Sequence, residues 1–292
     1  MIDFLKYRYV CAAFSVIVIM ATVGLYFYRG DFNYSIDFTG GTQALLKFSN
    51  KVESDTIKDI LRNQGYKGID IREISSKENE VLVFVRVQEF SSEAEGIGEK
   101  IKNTLQEALP NNKIEILQTD AVGSGVGATL RWDSFKAIII ALIAMLLYIA
   151  IRFKFAFAVG AIVALFHDVI AILFFFLLTN KEVSIDVIAA MLAVLGYSIN
   201  DTIVIFNQIR QNIKKMKTAP VYDVVNTSIN QTLRRTILTS FSTTLVVVSL
   251  IIFGGETLRN LSLTLLIGIV VGTYSSIYIA SPVMLLLYKE EK

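Results

Sequence analysis

One segment of the sequence, Val183 to Gln211, is long and apolar enough to cross a lipid bilayer, yet it carries a carboxylate. About 20 helical residues, rising about 1.5 Å each, span the hydrocarbon core of a membrane. Asn200 and Asp201 lie in the second half of this segment, where a charged side chain costs at least about 2.5 kcal/mol. Asp201 is therefore expected either to face protein with a functional role or to reach the interface near the cytoplasmic end of the helix.

Small residues recur on one face of this segment at helical spacing, and such a face allows two membrane helices to approach closely. They are Ala189, Ala193, Gly196 and Asn200. This spacing predicts that the face brings the polar pair to a helix–helix contact.

Five further apolar segments in the chain are long enough to span a membrane. They are Val10 to Tyr28, Trp132 to Ile151, Phe157 to Leu178, about Thr236 to Phe253 and about Leu261 to Leu287. With 53% hydrophobic and 18% charged residues, the composition indicates an integral membrane protein. The first segment is longer than the apolar part of a signal peptide and lacks a cleavage site, so we expect a retained helix.

Residues 30–127 have the composition of a water-soluble domain in the order β-α-β-β-α-β, which is typical of ferredoxin-like α+β domains. The expected strands are Ile36 to Phe48, Ile69 to Ile74, Val81 to Val87 and Ile114 to Leu117. One helix is expected to begin at Ser54 and end near Gly65, and another to begin at Ser91 or Ser92. A hairpin turn is predicted at Ser75 to Asn79, and the glycine-rich stretch Ala121 to Gly127 is predicted to be a flexible connector.

The basic residues predict the orientation of the helices. Residues 1–9, 152–154 and 208–235 are rich in Lys and Arg, whereas the turns at 179–182 and 254–260 are not. The positive-inside rule then places both termini in the cytoplasm. The predicted organisation is a first helix in 1–29, an extracytoplasmic domain in 30–127 and a five-helix bundle in 128–292. Within the basic cytoplasmic loop 208–235, an apolar stripe predicts a helix on the membrane surface; its members are Val221, Val224, Val225 and Ile229.

Other polar residues inside the predicted helices are candidates for function. His167 and Asp168 lie near the middle of the third helix and should face the bundle, either in a functional role or as a hydrogen-bonded structural pair. Thr236, Thr239, Ser240, Thr243 and Thr244 share one face of the fifth helix, where hydroxyl groups usually bond to their own backbone carbonyls. Arg235 precedes them and by sequence alone is a positive-inside flank. The sixth helix has a small-residue packing ridge at Gly268, Gly272, Ser276 and Ala280.

The single Cys11 and single histidine exclude an internal disulfide and make a cysteine- or histidine-based metal site improbable. No nucleophile, base and oxyanion donor converge in the sequence, so we expect neither an enzyme nor a cofactor. Nothing in the sequence indicates a nucleic-acid partner.

Six motifs, taken in order, closely resemble the SecF branch of the SecD/SecF family of protein-export membrane proteins, within the proton-driven RND superfamily. They are IDFTGG (Ile36 to Gly41), ALFHDV (Ala164 to Val169), GYSINDTIVIFNQIRQN (Gly196 to Asn212), INQTLRRTILTS (Ile229 to Ser240), FGGETLR (Phe253 to Arg259) and GTYSSIYIASP (Gly272 to Pro282). The resemblance covers nearly the whole chain.

The resemblance implies a six-helix half that pairs with SecD in the cytoplasmic (inner) membrane, often with the small protein YajC. Such a unit uses the proton-motive force to help pull unfolded polypeptide from the SecYEG channel. The matching motifs make Asp201 the carboxylate of a proton relay and Arg235 its basic partner, with Asn200, His167 and Asp168 as neighbouring polar groups.

The sequence departs from the family at several positions. The family usually has Asp-Arg where Asn207 and Gln208 stand and Glu where Gln211 stands, so charges are missing at the cytoplasmic mouth. Ser35 and Ser124 replace a common Gly and Pro. Two other functions stay open at this point: a half-transporter of the same superfamily that moves lipid or drug, and a scaffold in which Asp201 is structural.

Overall fold

The computed structural model describes residues 1–77, 80–91, 94–255 and 257–288. It divides into two compact units, one formed by Met1–Asn33 with Lys136–Lys292 and the other by Tyr34–Phe135. Parts of the predicted 75–79 turn, of the Ser91–Ser92 helix start and of the FGGETLR motif lie outside the described residues.

The unit Tyr34–Phe135 contains a four-stranded antiparallel sheet with two longer helices packed on it. Its elements are α2 (Ile36–Thr39), β1 (Gly41–Phe48), α3 (Ser54–Asn63), β2 (Asp70–Lys77), β3 (Glu80–Val87), α4 (Ala94–Ala108), β4 (Ile114–Val122) and the start of α5 (Ser124–Arg152). The strand order is β2-β3-β1-β4. The register pairs Leu46 with Val83 on one side and Ile116 on the other.

Alternation along β1 places Ala44, Leu46 and Phe48 in the core of this unit, as the sequence predicts. Ile57 and Leu61 of α3 pack on the same core, together with one face of α4. Gly65 has a φ of 91° just after α3, which confirms the expected glycine at the end of that helix.

The predicted start of the first strand at Ile36 is wrong, because Ile36–Thr39 form a short helix and β1 begins at Gly41. The Ser35 hydroxyl accepts a hydrogen bond from the Asp37 N–H at 3.3 Å and caps the helix. Gly40 and Gly41 then have φ values of 72° and 116°, a conformation that other residues rarely adopt.

The predicted flexible connector at Ala121 to Gly127 is also wrong. Its first two residues complete β4, where Val122 pairs with Gly41, and α5 begins at Ser124. A Cβ on Gly127 would lie 3.0 Å from the Gly40 nitrogen. Gly127 therefore allows close packing between two backbone segments rather than flexibility.

The helical unit confirms the α-helical membrane architecture: among the described residues, six helices are long and apolar enough to cross a membrane. Five of them are α1 (Arg8–Arg29, preceded by one 3₁₀ turn), α5, α6 (Phe155–Thr179), α7 (Ile185–Lys215) and α8 (Val221–Phe253). The sixth consists of α9 (Arg259–Ser275), a π-helical segment (Ser276–Ala280) and α10 (Ser281–Leu287). The sequence did not predict the π-helical segment.

Three of these helices form the inside of the bundle. About half of the residues in the most apolar parts of α6, α7 and the α9–α10 helix are buried, against 11% or less in α1, α5 and α8. The inner helices are also those with the buried Asp168 and Asp201.

The predicted surface helix within 208–235 is wrong, because Val221–Phe253 is one continuous helix. The sequence has Pro220 before it and Gly254 after it, with neither residue type in between. Its apolar stripe, Val224, Val225 and Ile229, is buried against protein rather than exposed. The side chains of Asn226 and Asn230 also accept hydrogen bonds from the backbone of Phe4 and Ile2, which holds the N-terminus on α8.

Candidate functional site

Asp201 lies on the inward face of α7, where its side chain is only 3% exposed. Its Oδ2 atom is buried and has no hydrogen-bond partner among the described residues. A carboxylate without partners in an apolar environment is costly to keep charged. Among the described residues, Asp201 is therefore a buried carboxylate whose charge is poorly compensated.

Arg235 is the charged side chain whose electrostatic effect reaches Asp201. It lies on α8 and is exposed, although the following residue, Thr236, is buried. Among the described residues, no ion pair within 4.0 Å joins Arg235 to Asp201. The structure thus brings the two residues near one another without a direct contact.

Asp168 is the opposite case, since its fully buried carboxylate has three polar partners. Oδ2 accepts a hydrogen bond from Ser198 Oγ of α7 at 2.6 Å and from Ser275 Oγ of α9 at 3.0 Å. Oδ1 lies 3.4 Å from His167 Nδ1. One carboxylate of α6 therefore connects the three inner helices.

A chain of hydroxyl groups continues from this cluster toward the next turn of α7. Thr202 Oγ1 lies 2.9 Å from Ser276 Oγ and donates to the Ser198 carbonyl at 3.2 Å. Ser276 also donates to the Gly272 carbonyl at 2.9 Å. These hydroxyls join the sixth spanning helix to the turn of α7 beside Asp201, but none of them forms a hydrogen bond with the Asp201 carboxylate.

Sequence reasoning did not single out Ser198, Thr202 and Ser275, and it named Ser276 only as part of the packing ridge. The available signal was the i, i+4 spacing of Ser198 and Thr202 around Asp201, together with the adjacent serines of the GTYSSIYIASP motif. In a membrane helix such hydroxyls often bond only to their own backbone, so the spacing alone could not reveal the shared partner.

His167 is almost fully buried, and its Nε2 atom has no hydrogen-bond partner in the part of the chain that the structure describes. Its ring lies 6.0 Å from the ring of Tyr274, measured between centroids. The imidazole also borders an apolar cleft of about 260 Å³ between α1, α6 and the α9–α10 helix. His167 thus lies at the edge of the Asp168 cluster rather than at its centre.

Asn200 is not brought together with these groups, although it precedes Asp201. It lies on an exposed face of α7 with Ala189, Ala193 and Gly196. Among the residues that the structure describes, the predicted contact of this small-residue face with another helix is therefore absent. The face of α7 that packs closely inside the bundle carries Val194 and Ser198.

The small-residue ridge of the sixth spanning helix packs on that inner face, which confirms its predicted packing role. A Cβ on Gly272 would lie 2.9 Å from Ser198 Cβ, and one on Gly268 would overlap Val194. The hydroxyls of α8 follow their expected pattern in part. Thr239 and Thr243 bond to carbonyls one turn back, but Ser240 Oγ lies 2.7 Å from Thr273 Oγ1 of α9.

Neutral amides join α7 to α8 near the end of α7. Gln208 Nε2 donates to Gln231 Oε1 at 2.7 Å, and Asn212 Nδ2 donates to Ser228 Oγ at 2.8 Å. The part of the chain that the structure describes contains no group of three His, Cys, Asp or Glu side chains placed to hold a metal ion.

Comparison with known protein families matches two segments of the chain. Residues 100–290 match the family described as "Protein export membrane protein SecD/SecF, C-terminal", and residues 32–52 match the "SecD/SecF GG Motif". The motif segment includes Gly40 and Gly41, the glycines with positive φ before and at the start of β1.

Curated relatives have similar lengths. The protein translocase subunit SecF of Thermodesulfovibrio yellowstonii is 40% identical over 99% of this chain and 95% of the relative. The corresponding subunit of Escherichia coli O157:H7 is 34% identical over 97% of this chain and 87% of the relative.

A solved structure with the same helical arrangement comes from a longer protein. The crystal structure of SecDF, described as a translocon-associated membrane protein from Thermus thermophilus, matches 97% of this chain with a TM-score of 0.83 and 37% identity. The chain spans 38% of the SecDF chain. The described fold and the full-length matches agree, and the chain belongs to the SecD/SecF family of protein-export membrane proteins.

Proposed function

We propose that this chain is a subunit of the Sec protein translocase that works with SecD. Together they use the proton-motive force to assist the export of unfolded polypeptides through SecYEG. The observation that carries this proposal is the buried, unpartnered carboxylate of Asp201 in a chain that matches translocase subunits over nearly its full length. The role is mechanical transport, without an enzymatic reaction or a cofactor.

Pairing with SecD is supported by the relative named SecDF, in which a segment similar to this chain makes up 37% of a longer protein. It is also supported by the exposed face of α7 with Ala189, Ala193, Gly196 and Asn200. Small side chains let two membrane helices approach closely, and Asn200 can form a hydrogen bond across such a contact. YajC and the surrounding lipid complete the proposed environment.

In the proposed relay, Asp201 binds and releases the proton and Arg235 supplies the opposing charge. Moving one charge across about 100 mV is worth about 2.3 kcal/mol. A change of that size biases the equilibrium between two packings of the bundle when Asp201 switches between neutral and charged. His167, Asp168 and Asn200 are the neighbouring polar groups, and Asp168 reaches the inner helices through Ser198 and Ser275.

The proposed topology has both termini in the cytoplasm and residues 30–127 outside, as the basic loops indicate. We assign the unit with four antiparallel strands to the ferredoxin-like domains on the order β2-β3-β1-β4. In this proposal, the domain outside the membrane transmits the motion of the helices to polypeptide that leaves the channel.

The test is export into inverted membrane vesicles that contain the complete translocase, with and without an uncoupler. Asp201→Asn keeps the size of the side chain but cannot carry a proton in and out. We expect it to abolish the stimulation by the proton gradient while the complex with SecD assembles in normal yield. Full gradient-dependent export by this variant would show that Asp201 is structural.

Arg235→Lys is the matched variant for the second charge. It retains a positive charge but replaces the planar guanidinium by a compact ammonium, so we expect a smaller loss of gradient-dependent export than for Asp201→Asn. ATP-driven export with the gradient collapsed should be the same for wild type and both variants. A loss under that condition would point to a general assembly defect.

The topology has its own test, made in a Cys11→Ser background because Cys11 is the only native cysteine. A cysteine introduced at Lys100, which is exposed on α4, should react in intact cells with a membrane-impermeant thiol reagent. One at Lys215, exposed at the end of α7, should react only after the membrane is opened. The reverse labelling would contradict the proposed orientation.

A further inference from the structure

A basic cleft of about 570 Å³ lies where α5, α6, α7 and α10 end or begin. Four cationic side chains border it, together with aromatic residues; its main lining residues are Arg152, Lys154, Arg210, Lys214, Phe157 and Tyr288. None of its lining residues in the described part of the chain is acidic. The cleft is separate from Asp201 and from the Asp168 cluster, whose residues do not line it.

Arg210 is held in place at this cleft by uncharged partners. One guanidinium nitrogen lies 3.4 Å from the Arg152 carbonyl oxygen, and the other donates to Asn207 Oδ1 at 3.2 Å. The guanidinium also lies over the Phe153 ring, 5.2 Å from its centroid. These contacts orient the side chain without neutralising its charge, so an anionic ligand meets a positioned cation.

The charges of Arg152 and Lys214 add to that of Arg210. Within the described residues, no carboxylate lies within 4.0 Å of a side-chain nitrogen of Arg152, Arg210 or Lys214. Guanidinium and ammonium groups that converge in this way suit a phosphate group. The charge pattern thus favours a phosphate-containing anion over a neutral ligand.

The position of the cleft identifies the source of that phosphate. Arg152 ends α5 and Phe155 begins α6, both of which are membrane helices. Beside the cleft, Ile151 is 88% exposed and Phe155 is 77% exposed, as is expected of side chains that face lipid. Phe153 and Phe157 are buried behind the cations. A ligand in this cleft therefore contacts the cationic side chains at the level of the lipid headgroups, with apolar side chains next to them.

We propose that this cleft binds the phosphate headgroup of an anionic glycerophospholipid of the cytoplasmic leaflet, such as phosphatidylglycerol. Basic pockets between membrane helices on the cytoplasmic side recognise such headgroups. The bound lipid ties the 152–154 turn to the end of α7, the helix that carries Asp201. This site extends the proposed function, because proton relay by Asp201 does not require it.

The experiment uses the full chain reconstituted in phosphatidylcholine vesicles, with a tryptophan reporter at the cleft. Tyr288→Trp provides the reporter, and Trp132→Phe removes the single native tryptophan. Brominated phosphatidylglycerol or brominated phosphatidylcholine is then added at equal mole fraction, and quenching of the tryptophan fluorescence is measured. We expect stronger quenching by brominated phosphatidylglycerol.

Lys214→Gln should lower the relative affinity for phosphatidylglycerol about fivefold, as expected from about 1 kcal/mol for each basic residue near a membrane surface. Lys215→Gln is the matched control, because Lys215 is the next residue of α7 and does not line the cleft. It should leave the affinity unchanged. Asn207→Asp should also lower the affinity, since it places a carboxylate beside Arg210.

Several results would overturn the proposal. Equal quenching by the two brominated lipids would show no headgroup preference, and equal losses in Lys214→Gln and Lys215→Gln would show a diffuse surface-charge effect. Relief of quenching by soluble glycerol phosphate at the concentration of the lipid would assign the cleft to a free anion. If the preference for phosphatidylglycerol appears only when Glu290→Gln and Glu291→Gln are combined, the result would assign the cleft to the acidic C-terminal residues of this chain.

Discussion

The carboxylates of Asp168 and Asp201 are both buried in the inner helices, but their surroundings differ. Asp168 accepts hydrogen bonds from Ser198 and Ser275 and lies against His167. Asp201 has no hydrogen bond among the described residues, and its nearest compensation is the charge of Arg235 at a distance. Hydrogen bonds fix the first carboxylate in one arrangement, whereas the second can change its protonation state without breaking any. The comparison separates the group that holds the helices together from the group that we propose as the switch.

The largest effect is expected where the Asp168 region is most tightly packed. Gly272→Leu would push against Ser198, whose Cβ lies 2.9 Å from a Cβ at position 272, and Ser198 donates to Asp168. We expect a loss of about 3 kcal/mol in the free energy of unfolding, the upper range for overpacking, measured by denaturant titration in detergent micelles.

Gly196→Leu is the matched control on the other face of α7, since a Cβ there meets no atom within 4 Å. It should leave the stability of the isolated chain unchanged but lower the yield of the complex with SecD. Unchanged stability in Gly272→Leu would mean that the contact between α7 and α9 is looser than described.

The difference between the Asp168 and Asp201 carboxylates can be tested directly by replacing each residue with asparagine. Asp168→Asn converts two charge-assisted hydrogen bonds into neutral ones, and the difference of about 1 kcal/mol per bond predicts a loss of about 2 kcal/mol. Asp201→Asn removes a buried charge without breaking a hydrogen bond, so the free energy of unfolding should stay the same or rise. Thermal unfolding of the two variants under the same detergent conditions distinguishes them. Equal losses would remove the distinction between the two carboxylates.

The smallest effect is expected for Ser276, whose hydroxyl links the sixth spanning helix to α7. Ser276→Ala removes hydrogen bonds to Thr202 and Gly272, and a hydrogen bond between membrane helices contributes about 0.6 kcal/mol. We expect a loss of that size in the free energy of unfolding. Ser262→Ala is the control, because the buried Ser262 hydroxyl has no partner among the described residues and its removal should cost nothing. A loss in Ser276→Ala as large as in Asp168→Asn would show that the link is part of the structural cluster.

The sequence predicted the parts of the fold that depend on long repeating patterns. The spanning segments and the core face of β1 are examples, because burial in a membrane or in a sheet requires many residues to agree. The predictions were wrong where a few atoms decide the backbone conformation. Examples are the helix capped by Ser35 and the glycines around α5. Val221 to Arg235 was also predicted to be a surface helix, since an apolar stripe suits protein and membrane equally well.

For the candidate site, the sequence identified the titratable groups but not their partners. Asp168, His167 and Asp201 are conspicuous in apolar segments. Their partners are serines from helices far apart in the chain, and no local pattern shows which hydroxyl of a membrane helix turns away from its own backbone. The position of Asn200 on an exposed face was missed because neighbouring residues on a helix point about 100° apart.

The π-helical segment Ser276–Ala280 makes the sixth spanning helix sensitive to its exact number of residues. It inserts one extra residue into the helical repeat, and the Ser281 hydroxyl donates to the Ser276 carbonyl five residues back at 3.0 Å. Beyond this segment, Ala280 and Met284 fit so closely against Gly160 of α6 that a Cβ on Gly160 would lie 2.6 Å from the Ala280 oxygen. Deleting one residue from 276–280 would remove that extra residue and leave a regular α-helix, in which Met284 keeps its position against Gly160. The chain should therefore tolerate a one-residue deletion here better than a one-residue insertion, which would rotate the residues after it by about 100°.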